Sequence, residues 1–303
     1  MAVSRIRTAT AVVVGDASAC ALLASGTTDC WGSNDSGELG NGTTTASDTP
    51  VAVRGIKSAD AISAGVAACA LLASGAIDCW GYNGTGELGN GTTNESDRPV
   101  AVSGITNATA ISAGKDSACA LLATSTIDCW GYNGAGELGN GTTNESDRPV
   151  AVSGIANATA VAVGDESACA LLATGAIDCW GYNALGQLGN GTTANSATPV
   201  PVSGITNATA ISAGYGSACA LLATGAIDCW GYGGGGKLGN GTMTIDSATP
   251  VAVSGITNAT AVSVGGESAC TLLDSGAIDC WGSNVGNGTA TESDTPVQVS
   301  GLP

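Results

Sequence analysis

The sequence predicts an all-β fold, a β-propeller built from four-stranded antiparallel blades, six in number. Three observations predict it. Twelve cysteines fall in six pairs: Cys20 with Cys30, Cys69 with Cys79, Cys119 with Cys129, Cys169 with Cys179, Cys219 with Cys229 and Cys270 with Cys280. The first cysteines of successive pairs are 49, 50, 50, 50 and 51 residues apart, a tandem-repeat period that suits propeller blades or solenoid units. Each period holds four short runs of strand-forming residues separated by glycine-containing turns.

The fourth unit illustrates the elements in order. Ala158–Val163 alternates small and branched apolar residues and stops at Gly164, the first strand. Ser167–Leu172 is the second strand and Ala176–Trp180, stopped by Gly181, the third. After a long polar loop, Pro199–Val202 is the fourth, stopped by Gly204. Ala173-Thr174-Gly175 suits a three-residue hairpin loop ending in a left-handed glycine. That loop sets Leu171 opposite Ile177, Ala170 opposite Asp178, Cys169 opposite Cys179 and Trp180 opposite Ala168. Period-two alternation then puts Cys169, Leu171, Ile177 and Cys179 on one face. The third unit carries Ser125 at the glycine position, at an expected cost of about 1 kcal/mol.

Directly opposed cysteines in an antiparallel pair are close enough to bridge. Six identical cross-strand disulfides are therefore expected, each closing a loop of about ten residues for roughly 3 kcal/mol by the chain-entropy argument. Two other readings stay open at this point. Zinc ligation is disfavoured by the spacing and by the absence of histidine. Free thiols could pack as small apolar groups. Disulfides would imply an oxidising compartment.

Composition narrows the functions. There is no Phe, so aromatic bulk rests on one Trp per unit and five Tyr. A net charge of −17 with eight Lys plus Arg argues against binding to a nucleic-acid backbone, which needs clustered cations. It also argues against anionic lipid and fits solubility, cationic partners or divalent cations. No stretch reaches the ~20 apolar residues of a membrane span, so no membrane insertion is expected. The start, Met1–Gly15, superficially resembles a targeting segment but aligns with residues 101–114, and so reads as repeat material.

The loop after each Trp-Gly is the most regular polar segment. Trp80-Gly-Tyr-Asn-Gly-Thr-Gly-Glu-Leu-Gly-Asn-Gly-Thr92 recurs at 130–142 and 180–192; the fifth copy carries Lys237 at the Glu position, and the sixth is four residues shorter. Leu88 and its equivalents are expected to pin the loop to the core. Cys-Ala-Leu-Leu-x-x-Gly-x-Ile-x-Cys-Trp-Gly-x-Asn-x-x-Gly-x-Leu-Gly-x-Gly, followed by Pro-x-x-Val, closely resembles the regulator-of-chromosome-condensation (RCC1) repeat over nearly all of residues 8–302. The resemblance implies one RCC1-like propeller domain over 1–303, in a family whose blades usually number seven. This chain departs from the pattern: it has six repeats, and Ser117, Ser167 and Ser217 stand where a His commonly lies. Members of the family include a nuclear exchange factor for a small GTPase, light sensors, ubiquitin-ligase modules and secreted bacterial inhibitors of β-lactamase. The paired cysteines resemble the bacterial secreted or surface branch.

Asp29, Asp78, Asp128, Asp178, Asp228 and Asp279 recur at one position; a ring of carboxylates facing the axis would suit Ca²⁺, but a third strand normally lies away from the channel. No metal and no cofactor is expected. Glu38, Glu87, Glu137, Gln187 and Lys237 would ring one face and are candidate contacts for a partner. Asn-x-Ser/Thr sequons such as Asn90-Gly-Thr92 double as turn chemistry. Without histidine, and with every cysteine inside the repeat, no nucleophile–base pair is legible, so no catalytic residue is assigned. The asymmetric units are the first (Arg54, Lys57, Asp60), the fifth (Tyr215, Lys237, Met243) and the shortened sixth.

The leading functional expectation is a non-catalytic, extracellular or cell-surface scaffold that binds a protein. A self-assembling structural protein and, less favoured, a carbohydrate-active enzyme are the alternatives. Both Ala2–Ile6 and Pro296–Ser300 resemble a fourth strand, and one of them is expected to seal the ring.

Overall fold

The structure, a computed structural model, describes residues 6–301. Six repeats give six four-stranded antiparallel sheets, spanning residues 9–52, 59–101, 108–151, 158–201, 208–252 and 259–298, and within each the strands lie in sequence order. This is the all-β propeller fold; a three-residue 3-10 turn at Gly234–Gly236 interrupts the fifth loop. The closing strand expected at Ala2–Ile6 falls outside the described residues except for Ile6. Pro296–Gln298 lies in the fourth strand of its own sheet, Ser293–Gln298.

The central hairpin follows the expected register. In sheet 4, Cys169 pairs with Cys179, Ala168 with Trp180, Ala170 with Asp178 and Leu171 with Ile177. The hairpin closes with Gly175 at φ 81°, and its N–H donates to the Leu172 carbonyl. Ser125 adopts φ 60° at the same place in sheet 3, so a side chain does occupy the left-handed region there.

The opposed cysteines are bridged in every sheet. Cys20 is bonded to Cys30, Cys69 to Cys79 and Cys119 to Cys129. Cys169 is bonded to Cys179, Cys219 to Cys229 and Cys270 to Cys280. No free cysteine is left among the described residues, so of the three readings the structure shows the bridged one. Cys129 and Cys229, on the third strands of sheets 3 and 5, are fully buried, so their bridges lie inside the packed layers and away from solvent.

One boundary differs from expectation. The third strand is Ile177–Gly181 and the fourth begins at Ser196, three residues before Pro199. Gly181 stays in the ladder opposite Ser196, with a register shift between Cys179 and Gly181. Its φ of 104° makes that bulge, a conformation glycine reaches without strain. A strand-ending reading of Gly181 misses it because the residue bends the ladder instead of leaving it.

The chain divides into two compact units. One runs through Gly134 and includes Asn140–Ala156, carrying sheets 1–3; the other comprises Ala135–Gly139 and the chain from Asn157 onward, carrying sheets 4–6. Within each, successive sheets pack by the same rule. The cysteine face of sheet 1 (Cys20, Leu22, Cys30) buries Ala68, Ala70 and Trp80 of sheet 2. Cys69, Leu71 and Cys79 do the same for Ala118, Ala120 and Trp130. In the second unit, Cys169, Leu171 and Cys179 cover Ala218, Ala220 and Trp230, and Cys219, Leu221 and Cys229 cover Ala269 and Trp281. Small residues beneath each indole let neighbouring sheets approach, and the ring fills the space between them.

Candidate functional site at the turn end of the sheets

Register decides which loops share an end of each sheet. In sheet 3, Ala118 lies opposite Ala113, and Ser117 opposite Gly131. The turn joining the first two strands and the loop after Trp-Gly therefore leave from the same end. At the other end the hairpin loops are nearly constant, Ala73-Ser-Gly75, Ala173-Thr-Gly175 and Ala223-Thr-Gly225 among them. The first-to-second strand turns are not. They carry Asp16, Val66, Lys115-Asp116, Asp165-Glu166, Tyr215-Gly216 and Gly266-Glu267. Near-identical repeats thus concentrate their differences at one end.

The long loop at that end is held from within. Asn83 is fully buried; its Nδ2 donates to the Thr92 and Asn94 carbonyls, and its Oδ1 accepts from the Leu88 N–H at 2.9 Å. Asn183 makes the same set of bonds around Leu188. In the fifth unit, where Gly233 replaces the Asn, the Asp246 carboxylate accepts from the Gly233 N–H. Leu39, Leu88, Leu138, Leu188 and Leu238 are all fully buried, as expected for pins. The loop also reaches the next sheet: the Gly91 N–H donates to the Asp147 carbonyl, and the Trp80 indole to the Glu38 carbonyl.

This frame accounts for the candidate contact residues. Glu87, Glu137 and Gln187 are each 2% exposed. Each turns its side-chain oxygen back to an N–H two residues earlier, of Thr85, Ala135 and Leu185 respectively. Glu137 is held above the usual carboxylate range by burial, partly offset by backbone N–H groups of its own loop. These three side chains brace the loop, and they reach a partner only if the loop opens. Glu38 is half-buried, with Oε2 accepting from the Ser36 N–H.

Glu38 instead lines a cavity of about 300 Å³ in the first unit, together with Asp16, Ala17, Ser18, Ser33, Gly65, Val66, Tyr82 and Asp116. Tyr82 has its hydroxyl pushed above the ordinary phenol range by lost hydration, and then by the charges of Glu87, Asp116, Glu95 and Glu145. Carboxylates beside a phenol ring and a valine wall form a setting that favours an ammonium or guanidinium group. Sequence reasoning missed this cavity, since its residues come from six separate segments.

The second unit differs in chemistry. Lys237 is 1% exposed, and its Nζ donates to the Tyr215 carbonyl at 2.5 Å and the Gly266 carbonyl at 2.8 Å. Burial pushes its pKa down to about 8, against the opposing pull of Asp165 and Glu267. The ammonium lies 5.7 Å from the centre of the Tyr215 ring, which meets Tyr232 edge-on at 6.2 Å. Tyr215 is itself exposed, so a buried cation secures an aromatic ring on the turn surface.

The repeated aspartates sit in the third strands. Asp178 lies between Ala170 and Pro201, and Asp128 between Ala120 and Ala151. Asp78, Asp128, Asp178 and Asp228 are half-buried, and desolvation raises their carboxyls above the usual range. Among the described residues no group of three or more potential ligands could hold a metal ion. No helix among them is long and apolar enough to cross a membrane.

Sequential four-stranded sheets, keyed within each unit by an indole of the following sheet, define a repeat-built propeller. The regulator of chromosome condensation (RCC1) repeat model matches residues 30–72, 74–121, 129–171 and 175–221, and a second RCC1 repeat model matches 108–137 and 158–187. The chain belongs to the RCC1 repeat family. A comparison with curated proteins finds no match. Among solved structures, human WBSCR16 is 20% identical, with a TM-score of 0.88 over 99% of this chain and 83% of that one. Yeast RCC1 (Prp20), bound to Kap60, is 19% identical, with a TM-score of 0.85 over 96% and 75%. The ectodomain of the Physcomitrella patens receptor kinase CR4 is 24% identical, with a TM-score of 0.56 over 90% and 61%. At these identities the likeness concerns the fold.

Proposed function

We propose that this protein is a non-catalytic binding scaffold whose partner is a protein, acting outside the cell or on its surface. One observation carries the reading: the units repeat their framework and differ chiefly in the turns at one end. Loops on a rigid scaffold are where recognition residues gather, and exposed tyrosines such as Tyr82 and Tyr215 are typical contact anchors. Six disulfides fit an oxidising compartment. Two neighbours in fold supply parallels, yeast RCC1 in complex with Kap60 and the CR4 ectodomain. The sequence has no histidine, and all six cysteine pairs are bridged, so neither an imidazole base nor a thiol nucleophile is on hand.

The test is affinity capture from the native extracellular fluid under non-reducing conditions. It compares the protein with a variant whose first-to-second strand turns are replaced by Gly-Ser. The proposal expects a partner captured by the parent and lost with the turn variant. Equal capture by both would overturn the assignment of the binding end.

A further inference from the structure

The cavity of about 300 Å³ in the first unit sits where the repeats are unequal. Two residues separate Gly15 from Ser18 and Gly114 from Ser117, but Val66 alone separates Gly65 from Ala67. The three turns are joined in series, the Asp16 N–H donating to the Gly65 carbonyl and the Val66 N–H to the Lys115 carbonyl. The turns that carry Asp16 and Asp116 therefore flank Val66, and the shorter one between them leaves room.

Polar groups facing that room are incompletely served. In the second repeat, the N–H and the hydroxyl of Thr85 both donate to the Glu87 carboxylate. In the first, the Ser36 N–H donates to Glu38 Oε2, but the Ser36 hydroxyl turns to Glu95 Oε1 at 3.0 Å. Glu38 Oε1 is left with no hydrogen-bond partner among the described residues, on a half-buried side chain that lines the cavity. Ser18 also lines it and is only 8% exposed, and its hydroxyl likewise has no partner among the described residues. A hydroxyl so buried ordinarily finds one. Asp16 and Glu38 enter no ion pair among the described residues, and the lining contains no Lys or Arg. Among those residues no three potential ligands could share a metal ion, so the carboxylates surround a space wider than a coordination sphere.

We propose that this cavity receives an arginine side chain of the protein partner. The inference rests on the scaffold reading and names what the partner offers. A guanidinium carries five N–H donors in a planar fork and stacks on aromatic rings. One such group serves spaced carboxylates, the Ser18 hydroxyl and the Tyr82 ring together. A lysine ammonium is a compact, more strongly hydrated point charge and satisfies fewer of them at once. The net charge of −17 adds a long-range attraction for a basic partner.

The test is calorimetric titration with a blocked tripeptide, acetyl-Gly-Arg-Gly-amide, alongside its Lys counterpart and free arginine. The Arg peptide is expected to bind saturably and the other two more weakly, free arginine because its α-carboxylate meets like charge. Glu38→Gln keeps the side-chain oxygen that accepts from Ser36, as Gln187 does towards Leu185 in the fourth repeat. It removes the charge and should weaken the Arg peptide about tenfold. Ser18→Ala, the residue type found at Ala67, should weaken it severalfold. Asp60→Asn removes the same charge from an exposed site at the hairpin end of sheet 2 and should leave binding unchanged. Circular dichroism checks the folding of each variant. No saturable binding, equal binding of the Lys peptide or of free arginine, binding untouched by E38Q, or equal losses in E38Q and D60N overturns the proposal. The two readings fail separately. A parent that binds the Arg peptide but captures no protein contradicts the scaffold reading; one that captures a protein but binds no peptide contradicts the arginine pocket alone.

Discussion

The indole N–H of Trp130 donates to the carbonyl oxygen of Glu87, 2.8 Å away and 43 residues earlier in the chain. This bond ties the third sheet to the loop that leaves the second. The same carbonyl belongs to the residue whose carboxylate braces that loop through Thr85. One repeat therefore organises its own turn end and locks its neighbour with a single residue. Trp130→Phe keeps most of the ring but leaves the Glu87 carbonyl without its donor. The expected cost is about 1–3 kcal/mol, read as a lower urea midpoint with an unchanged slope.

Gly89 and Gly104 separate two reasons for a glycine. Both have positive φ, at 61° and 76°. A Cβ on Gly89 would lie 2.8 Å from Cδ1 of Trp130, while one on Gly104 meets nothing within 4 Å. Gly104→Ala should cost about 1 kcal/mol from backbone strain alone. Gly89→Ala should cost clearly more, because the indole must also move. Equal midpoints in paired urea titrations would contradict the packing described for the Trp-loop lock.

Asn183 is fully buried and bonded on both ends of its amide. Asn183→Ala would orphan two carbonyls and the Leu188 N–H, at a cost of about 2–4 kcal/mol. Amide hydrogen exchange should localise the loss to 183–195. Uniform loosening of the whole unit would show that the loop is not held by this side chain.

Stability should respond to pH in two windows. Lys237 is charged in both states below about 8, so its burial penalty is fully present there. Between about 8 and 10.5 the unfolded chain keeps the proton that the folded chain has released, and stability rises with pH. Lys237→Gln, the residue type that the fourth unit carries, should abolish that rise. On the acidic side, the raised carboxyls of Asp78, Asp128, Asp178 and Asp228 bind protons in the folded state first. Their contribution therefore grows as pH falls from neutrality towards 3.8 and then levels off. Thermal midpoints of the parent and of Asp→Asn variants across both windows check the signs.

Much of this architecture is legible in the sequence for a plain reason. A ten-residue cysteine spacing with a glycine at the hairpin position fixes Cys169 opposite Cys179, and period-two alternation then fixes every neighbour. The leucine of the long loop is equally readable, being the one large apolar residue in a polar segment. Glu87 is not, because a glutamate among glycines has the same composition whether it is solvated or folded back on an N–H two residues earlier. Asn83 hides for a related reason: its amide replaces backbone partners, and nothing in local composition distinguishes that from turn chemistry. The cavity around Glu38 and Val66 depends on how separate repeats meet, which a pattern within one repeat does not encode.

The claim on which the account rests is that each repeat is a hairpin closed by its own sulfur bridge, in a protein that works where such bridges persist. Alkylation of the protein in its native source before extraction, followed by non-reducing peptide mapping, tests it most directly. The account predicts no alkylated cysteine and six linked peptides, Cys20 with Cys30 through Cys270 with Cys280. Alkylated cysteines throughout, or links between different repeats such as Cys129 with Cys229, would contradict it.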